Sequence, residues 1–146
     1  MKKLSNLMNL SGKTVFITGG AGYLGTSMSH ALAELGANIV IGSRDGNKCK
    51  ELAKTLENEY GIKAMGIEVN ILDVSSIAST LKILIDKFGT LDILINNAGF
   101  GVFNKFNDYD IKKDLEMINL NIGTVVYLTK GFSKIITKIN NIRNMK

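Results

Sequence analysis

Apolar residues are spaced along this chain in two alternating rhythms. Short runs at Thr14 to Thr18, Asn38 to Gly42, Lys63 to Val69 and Leu91 to Asn96 predict four strands, and the unbroken Ile39-Val40-Ile41 stretch implies burial on both faces. Between them lie segments with helical spacing. Tyr23 to Leu35 places Leu24, Met28, Ala31, Leu32 and Leu35 on one side, and Asp45 to Tyr60 does the same through Leu52, Ala53 and Leu56. Ser76 to Phe88 turns Ile77, Leu81, Leu84 and Ile85 inward, behind the N-capping run Asp73-Val74-Ser75-Ser76. Gly36, Gly61 and Gly89 end these three helices. Asp110 to Ile118 and Leu120 to Lys138 are also helical in pattern, as one helix or two, and Asn140 to Lys146 reads as a polar tail without structure. Such alternation with short connections requires right-handed crossovers, hence a doubly wound α/β parallel sheet in the order 3-2-1-4 with helices on both faces. Residues 1–146 form a single domain in this reading.

Composition narrows the function. With 146 residues, 45% hydrophobic and 21% charged, the chain suits one globular core. No apolar run approaches the roughly 20 residues that cross a bilayer, and no leader pattern opens the chain, so a cytoplasmic protein without a membrane partner is expected. Cys49 is the single cysteine and His30 the single histidine, which argues against a disulfide or a metal cluster. The formal charge of +5 comes largely from Lys2, Lys3, Lys134, Lys138, Arg143 and Lys146, with no arginine and aromatic patch beside them. Solvated lysines are expected there, not a nucleic-acid surface.

The chemistry is concentrated in four places. Thr18-Gly19-Gly20-Ala21-Gly22-Tyr23-Leu24-Gly25 follows the first strand and opens the first helix. Glycines there let the backbone turn sharply and approach a pyrophosphate, while the new helix offers unpaired N–H groups and its positive end. Asp73 follows the third strand at the start of a helix, where it suits an N-cap. Asn96-Asn97-Ala98-Gly99 closes the fourth strand near the switch point of the sheet, where two adjacent asparagines need hydrogen-bond partners. Asn121 lies in a helix, where asparagine is a poor former; Asn119 is the substitute if the register differs by two.

Together these motifs resemble the short-chain dehydrogenase/reductase family over nearly the whole chain. The resemblance implies a Rossmann-like fold and hydride transfer between a nicotinamide and a carbonyl or alcohol, with a sugar acid or polyol as a substrate class. It assigns the cofactor to Gly19, Gly22, Gly25, Ser43, Arg44, Asp73, Asn97, Ala98 and Gly99, with an adenine contact as the alternative role of Asp73, and gives Asn121 the place of the family's helical catalytic asparagine. At the end of the second strand, Ser43 and Arg44 favour the 2'-phosphate of NADP, and Asp45 keeps NAD in view.

Two departures bear on function. Tyr23 stands where the shorter branch of the family has a glycine, and the spacing of Gly19, Gly22 and Gly25 is that of the extended branch; the Asn-Asn-Ala-Gly run belongs to the shorter one. The family's Ser and Tyr-x-x-x-Lys unit does not follow Asn121, and Tyr109 to Lys113, which has that spacing, precedes it. The expectation is a truncated, cofactor-binding half with little or no turnover, whose small-molecule substrate awaits a completing segment. The alternative is a non-catalytic nucleotide-binding or partner-binding module. The fourth strand would then present an apolar edge open to a homo-oligomer or a complementing chain.

Overall fold

Every residue of β1 (Thr14–Thr18) is buried, as a strand flanked on both edges and covered on both faces must be. In this computed structural model, which describes residues 8–103, 105, 108 and 110–144, β1 pairs in parallel with β2 (Asn38–Ser43) on one side and β4 (Ile93–Ile95) on the other. β3 (Ala64–Glu68) lies outside β2, giving the order β3-β2-β1-β4 that the alternating pattern predicts. The helices are α1 (Tyr23–Glu34), α2 (Gly46–Tyr60), α3 (Val74–Phe88), α4 (Ile111–Ile118) and α5 (Thr124–Asn144).

The two-residue period of the strands divides the core in two. Val15, Ile17, Ile39 and Ile41 pack with Ala33 of α1 and with Cys49, Ala53 and Leu56 of α2. Phe16 and Val40 point to the other face, toward Ile77, Leu81 and Leu84 of α3 and Leu128 of α5. Gly36, Gly61 and Gly89, the predicted terminators, all have positive φ.

The structure differs from the sequence reading in three respects and settles one point it leaves open. α1 buries Gly25, Ser29 and Ala33 rather than its large residues, and Leu24 is 61% exposed. Small side chains four apart bring the helix axis close to the sheet, and the Ser29 hydroxyl is satisfied by donating to the Gly25 carbonyl at 2.8 Å. β4 is shorter than Leu91 to Asn96: its ladder stops at Ile95, after which the Asn97 N–H turns to the Thr18 hydroxyl. α4 and α5 are one helical run joined by a π-helical turn at Asn119–Gly123. That run continues to Asn144, through residues expected to lack structure. Residues 132–144 contain neither glycine nor proline, and polarity alone does not end a helix.

Asp92 anchors the start of β4 to β1. Its carboxylate accepts from the Thr14 N–H at 2.9 Å and the Thr90 hydroxyl at 3.2 Å, and it pairs with Lys13 at 3.1 Å. Burial pushes its pKa up, but the bonds from Thr14, Lys13 and Thr90 together outweigh that and hold it below the usual carboxylate range. A carboxylate depressed on folding stabilises fully above its unfolded pKa, near about 4, and loses that contribution as pH falls through the folded value. Asp92→Asn is therefore expected to cost about 1–2 kcal/mol at neutral pH in urea unfolding. The gap between variant and wild type should close as the pH is taken below about 4.

Candidate functional site

The site is organised by the carboxyl ends of β1 and β4. Thr18 ends β1 with its hydroxyl buried, accepting from the Asn97 and Ala98 N–H groups, each at 3.2 Å, and donating to the Ile95 carbonyl at 3.3 Å. The Asn97 side-chain amide returns the contact, donating to the Thr18 and Gly19 carbonyls, both at 3.1 Å. The adjacent asparagine, Asn96, donates to the Thr129 hydroxyl of α5 at 3.2 Å. Both asparagines thus have the partners their position demands.

This clasp fixes the glycine turn. Gly19 has φ +62, and a Cβ on it would stand 2.9 Å from the Ala98 Cα. A Cβ on Gly25 would lie 2.4 Å from the Gly19 carbonyl oxygen and 2.6 Å from the Gly20 Cα, so α1 starts in direct contact with the turn. Its N-cap is Gly22, which supplies no side-chain acceptor, whereas α2, α3 and α4 are capped by the carboxylates of Asp45, Asp73 and Asp110. The first turn of α1 therefore faces the cleft with its N–H groups uncapped by a side chain, suited to an anion. Tyr23, 92% exposed, stands at the rim.

A cleft of about 490 Å³ runs across this end of the sheet, where open α/β sheets bind ligands. Gly19, Gly22 and Gly25 form one wall; Asn97, Ala98 and Gly99 the next; Ser43 and Arg44 lie at the tip of β2. Eight of the ten sequence-predicted site residues are thereby brought together.

The other two stand aside. Asp73 caps α3, accepting from the Ser75 N–H at 2.9 Å and the Ser75 hydroxyl at 2.8 Å. These Ser75 bonds hold its carboxyl below its ordinary pKa. Of the two roles the sequence left open for Asp73, the geometry displays the cap, and the cleft wall after β3 is made by Asn70, Ile71 and Leu72. The readable signal was Asn70 itself, the polar residue immediately following the buried Val69. Asn121 lies in the π-helical turn and holds the loop after β4: its Oδ1 accepts from the Phe100 N–H at 3.2 Å and its Nδ2 donates to the Phe100 carbonyl at 2.8 Å. Asn119, the alternative, is in the same turn with its Oδ1 close to Gly123. Tyr109, which begins the Tyr-x-x-x-Lys look-alike, lies outside the described residues.

The tip of β2 carries its own network. The Ser43 hydroxyl donates to the Asp45 carbonyl at 3.2 Å and accepts the Asp45 N–H at 3.1 Å, with the Cys49 sulfur 3.0 Å away. Burial pushes the Cys49 thiol up. Asp45 caps α2 by accepting from the Lys48 N–H at 3.1 Å and also faces the Lys48 ammonium at 3.7 Å. Lys48, Phe100, Glu116 and Leu120, which the sequence does not single out, also line the cleft, as does Leu24 of the glycine motif. Among the described residues no helix is long and apolar enough to cross a membrane.

The family model described as short chain dehydrogenase matches residues 13–141. The chain is 29% identical over 130 residues to the 3-oxoacyl-(acyl-carrier-protein) reductase FabG of Aquifex aeolicus, covering 88% of this chain and 52% of that protein. It superposes on the L-sorbose reductase of Gluconobacter frateurii, solved with NADPH and L-sorbose, with a TM-score of 0.83 at 26% identity, covering 88% of this chain and 49% of the other. An NAD+-bound xylitol dehydrogenase shares the fold with a TM-score of 0.83 at 23% identity over 90% of this chain and 50% of its own. The chain thus spans about half the length of these proteins.

The Asn97 clasp yields a sharp mutational test. Asn97→Ala removes two donated hydrogen bonds and is expected to cost about 2 kcal/mol in urea unfolding. Asn97→Asp, nearly the same shape, aims carboxylate oxygens at the Thr18 and Gly19 carbonyls and should destabilise more than alanine does.

Proposed function

The chain belongs to the short-chain dehydrogenase family, and we propose that its residues form the dinucleotide-holding part of an NAD(P)-dependent oxidoreductase, with NADP preferred. The observation that carries this reading is the glycine cradle: a turn with no room for a Cβ at Gly19, Gly20 or Gly25, opening onto the one helix of these four whose N-cap has no carboxylate. Gly19, Gly22 and Gly25 would hold the pyrophosphate on the α1 N–H groups. Asn70 to Leu72 would flank the adenine, with Asp73 behind them as the cap that fixes their loop. Asn97, Ala98 and Gly99 would form the nicotinamide side, and Asn121 would keep that wall in place through Phe100.

The NADP preference is supported at the tip of β2. An NAD site uses a carboxylate there for the ribose hydroxyls. Asp45, the available acid, also lines the cleft but is engaged in capping α2 and in its pair with Lys48, beside Arg44.

A nicotinamide bound in this cleft would exchange hydride with a carbonyl or alcohol carbon. The family's tyrosine and lysine do that reaction's proton transfer, and this chain has no Tyr-x-x-x-Lys unit after Asn121. We therefore propose that these residues supply the dinucleotide-holding part of that reaction and not its proton transfer. A polyhydroxy ketone or alcohol is the substrate class proposed for the reaction. Titration of the purified chain with NADPH, followed by nicotinamide fluorescence and by the rise in melting temperature, tests the binding claim. Gly25→Val should weaken NADPH binding by about 100-fold, because its side chain would displace the Gly19 and Gly20 backbone. Unchanged affinity would refute the cradle.

A further inference from the structure

We propose that Lys48 is a second cation for the 2'-phosphate of NADP, held in reserve by Asp45 and released to the cofactor on binding. This inference rests on the NADP reading above and adds to it a residue and an exchange. Two carboxylates stand around the first turn of α2, at the end of the cleft where Ser43 and Arg44 lie. Asp45 is the N-cap, and the Glu68 carboxylate is 3.3 Å from the point where a Cβ on Gly46 would be. A phosphate adds up to two further negative charges, so Arg44 alone leaves the region strongly anionic.

Ser43 cannot relieve this readily. Its hydroxyl already donates to the Asp45 carbonyl and accepts the Asp45 N–H, so turning it to a phosphate would cost bonds that shape the turn. Lys48 differs in every respect. It lines the cleft, its side chain is 71% exposed, and its contact with the half-exposed Asp45 is long at 3.7 Å. Exposed pairs of that kind contribute little, so the ammonium can leave one anion for a stronger one. Asp45 keeps its backbone bond from the Lys48 N–H when the side chain moves, and the cap survives the exchange.

The consequence is a site whose selectivity depends on how Asp45 is balanced. With Lys48 present, the carboxylate is compensated and the phosphate gains a partner. Without it, the acid of Asp45 is left uncompensated, repelling a 2'-phosphate while remaining available to ribose hydroxyls.

The test compares dissociation constants for NADPH and NADH in the wild-type chain, Lys48→Met, Lys48→Arg, Asp45→Asn and Arg44→Met, by fluorescence titration at two salt concentrations. Lys48→Met should weaken NADPH about tenfold and leave NADH within about twofold, the latter confirming that the variant folds. Lys48→Arg should restore NADPH binding. Asp45→Asn keeps a capping side chain, removes the repelling charge, and should tighten NADPH. The NADPH advantage of the wild type should shrink with added salt, and Lys48→Met should flatten that dependence. An unchanged ratio in Lys48→Met, alongside a collapsed ratio in Arg44→Met, would overturn the Lys48 assignment and leave the NADP reading standing. A wild-type chain that binds NADH more tightly than NADPH, or binds neither, would instead remove the reading on which it rests.

Discussion

The clasp between Thr18 and Asn97 is the constraint from which the rest of this structure follows. Parallel strands leave their last carbonyls and N–H groups without ladder partners, and at a ligand-binding edge no covering layer supplies them. Here the Thr18 hydroxyl and the Asn97 amide satisfy one another's strands across a sequence separation of 79 residues. Because Asn97 also bonds the Gly19 carbonyl, the same contact fixes the direction in which the glycine turn leaves the sheet. Backbone order, not side-chain bulk, shapes the cleft floor.

The two faces of the sheet solve different problems. On the α1 side, Gly25, Ser29 and Ala33 let the helix approach closely, which brings its first turn against the glycine turn. On the α3 and α5 side, large residues such as Phe16, Leu84 and Leu128 fill the space and hold the long terminal helix against the sheet. Close approach serves the site; bulky packing serves stability.

Strand order and helix placement were legible in the sequence because unbroken apolar runs and glycine stops are local signals. Eight of the ten expected site residues line one cleft for a related reason: they lie at or just beyond strand ends, where spacing determines location. The errors share a physical origin. Helical periodicity weights large apolar residues and so points Leu24 inward, whereas close packing buries Gly25 and Ser29. Asp73 keeps two readings because capping and ligand binding use the same side-chain chemistry, and the bond from Ser75 displays the cap. Nothing local in Asn119 to Gly123 announces a π-helical turn, and in sequence the relation of Lys48 to Asp45 looks like any surface pair. Family membership itself needed no three-dimensional information, since four motifs in the right order are enough.

The shortness of β4 has a consequence for how the protein behaves in concentrated solution. An outer strand with apolar side chains is a template on which sheets of separate molecules can join, and the hazard grows with the number of free backbone groups in a row. Among the described residues β4 has a ladder partner only in β1, and it offers just the three residues Ile93–Ile95. Asn96 and Asn97 then divert the chain, one toward α5 and one toward β1. A row so brief gives an approaching strand little to grip, so the two asparagines that follow β4 also shorten the edge left open to another strand.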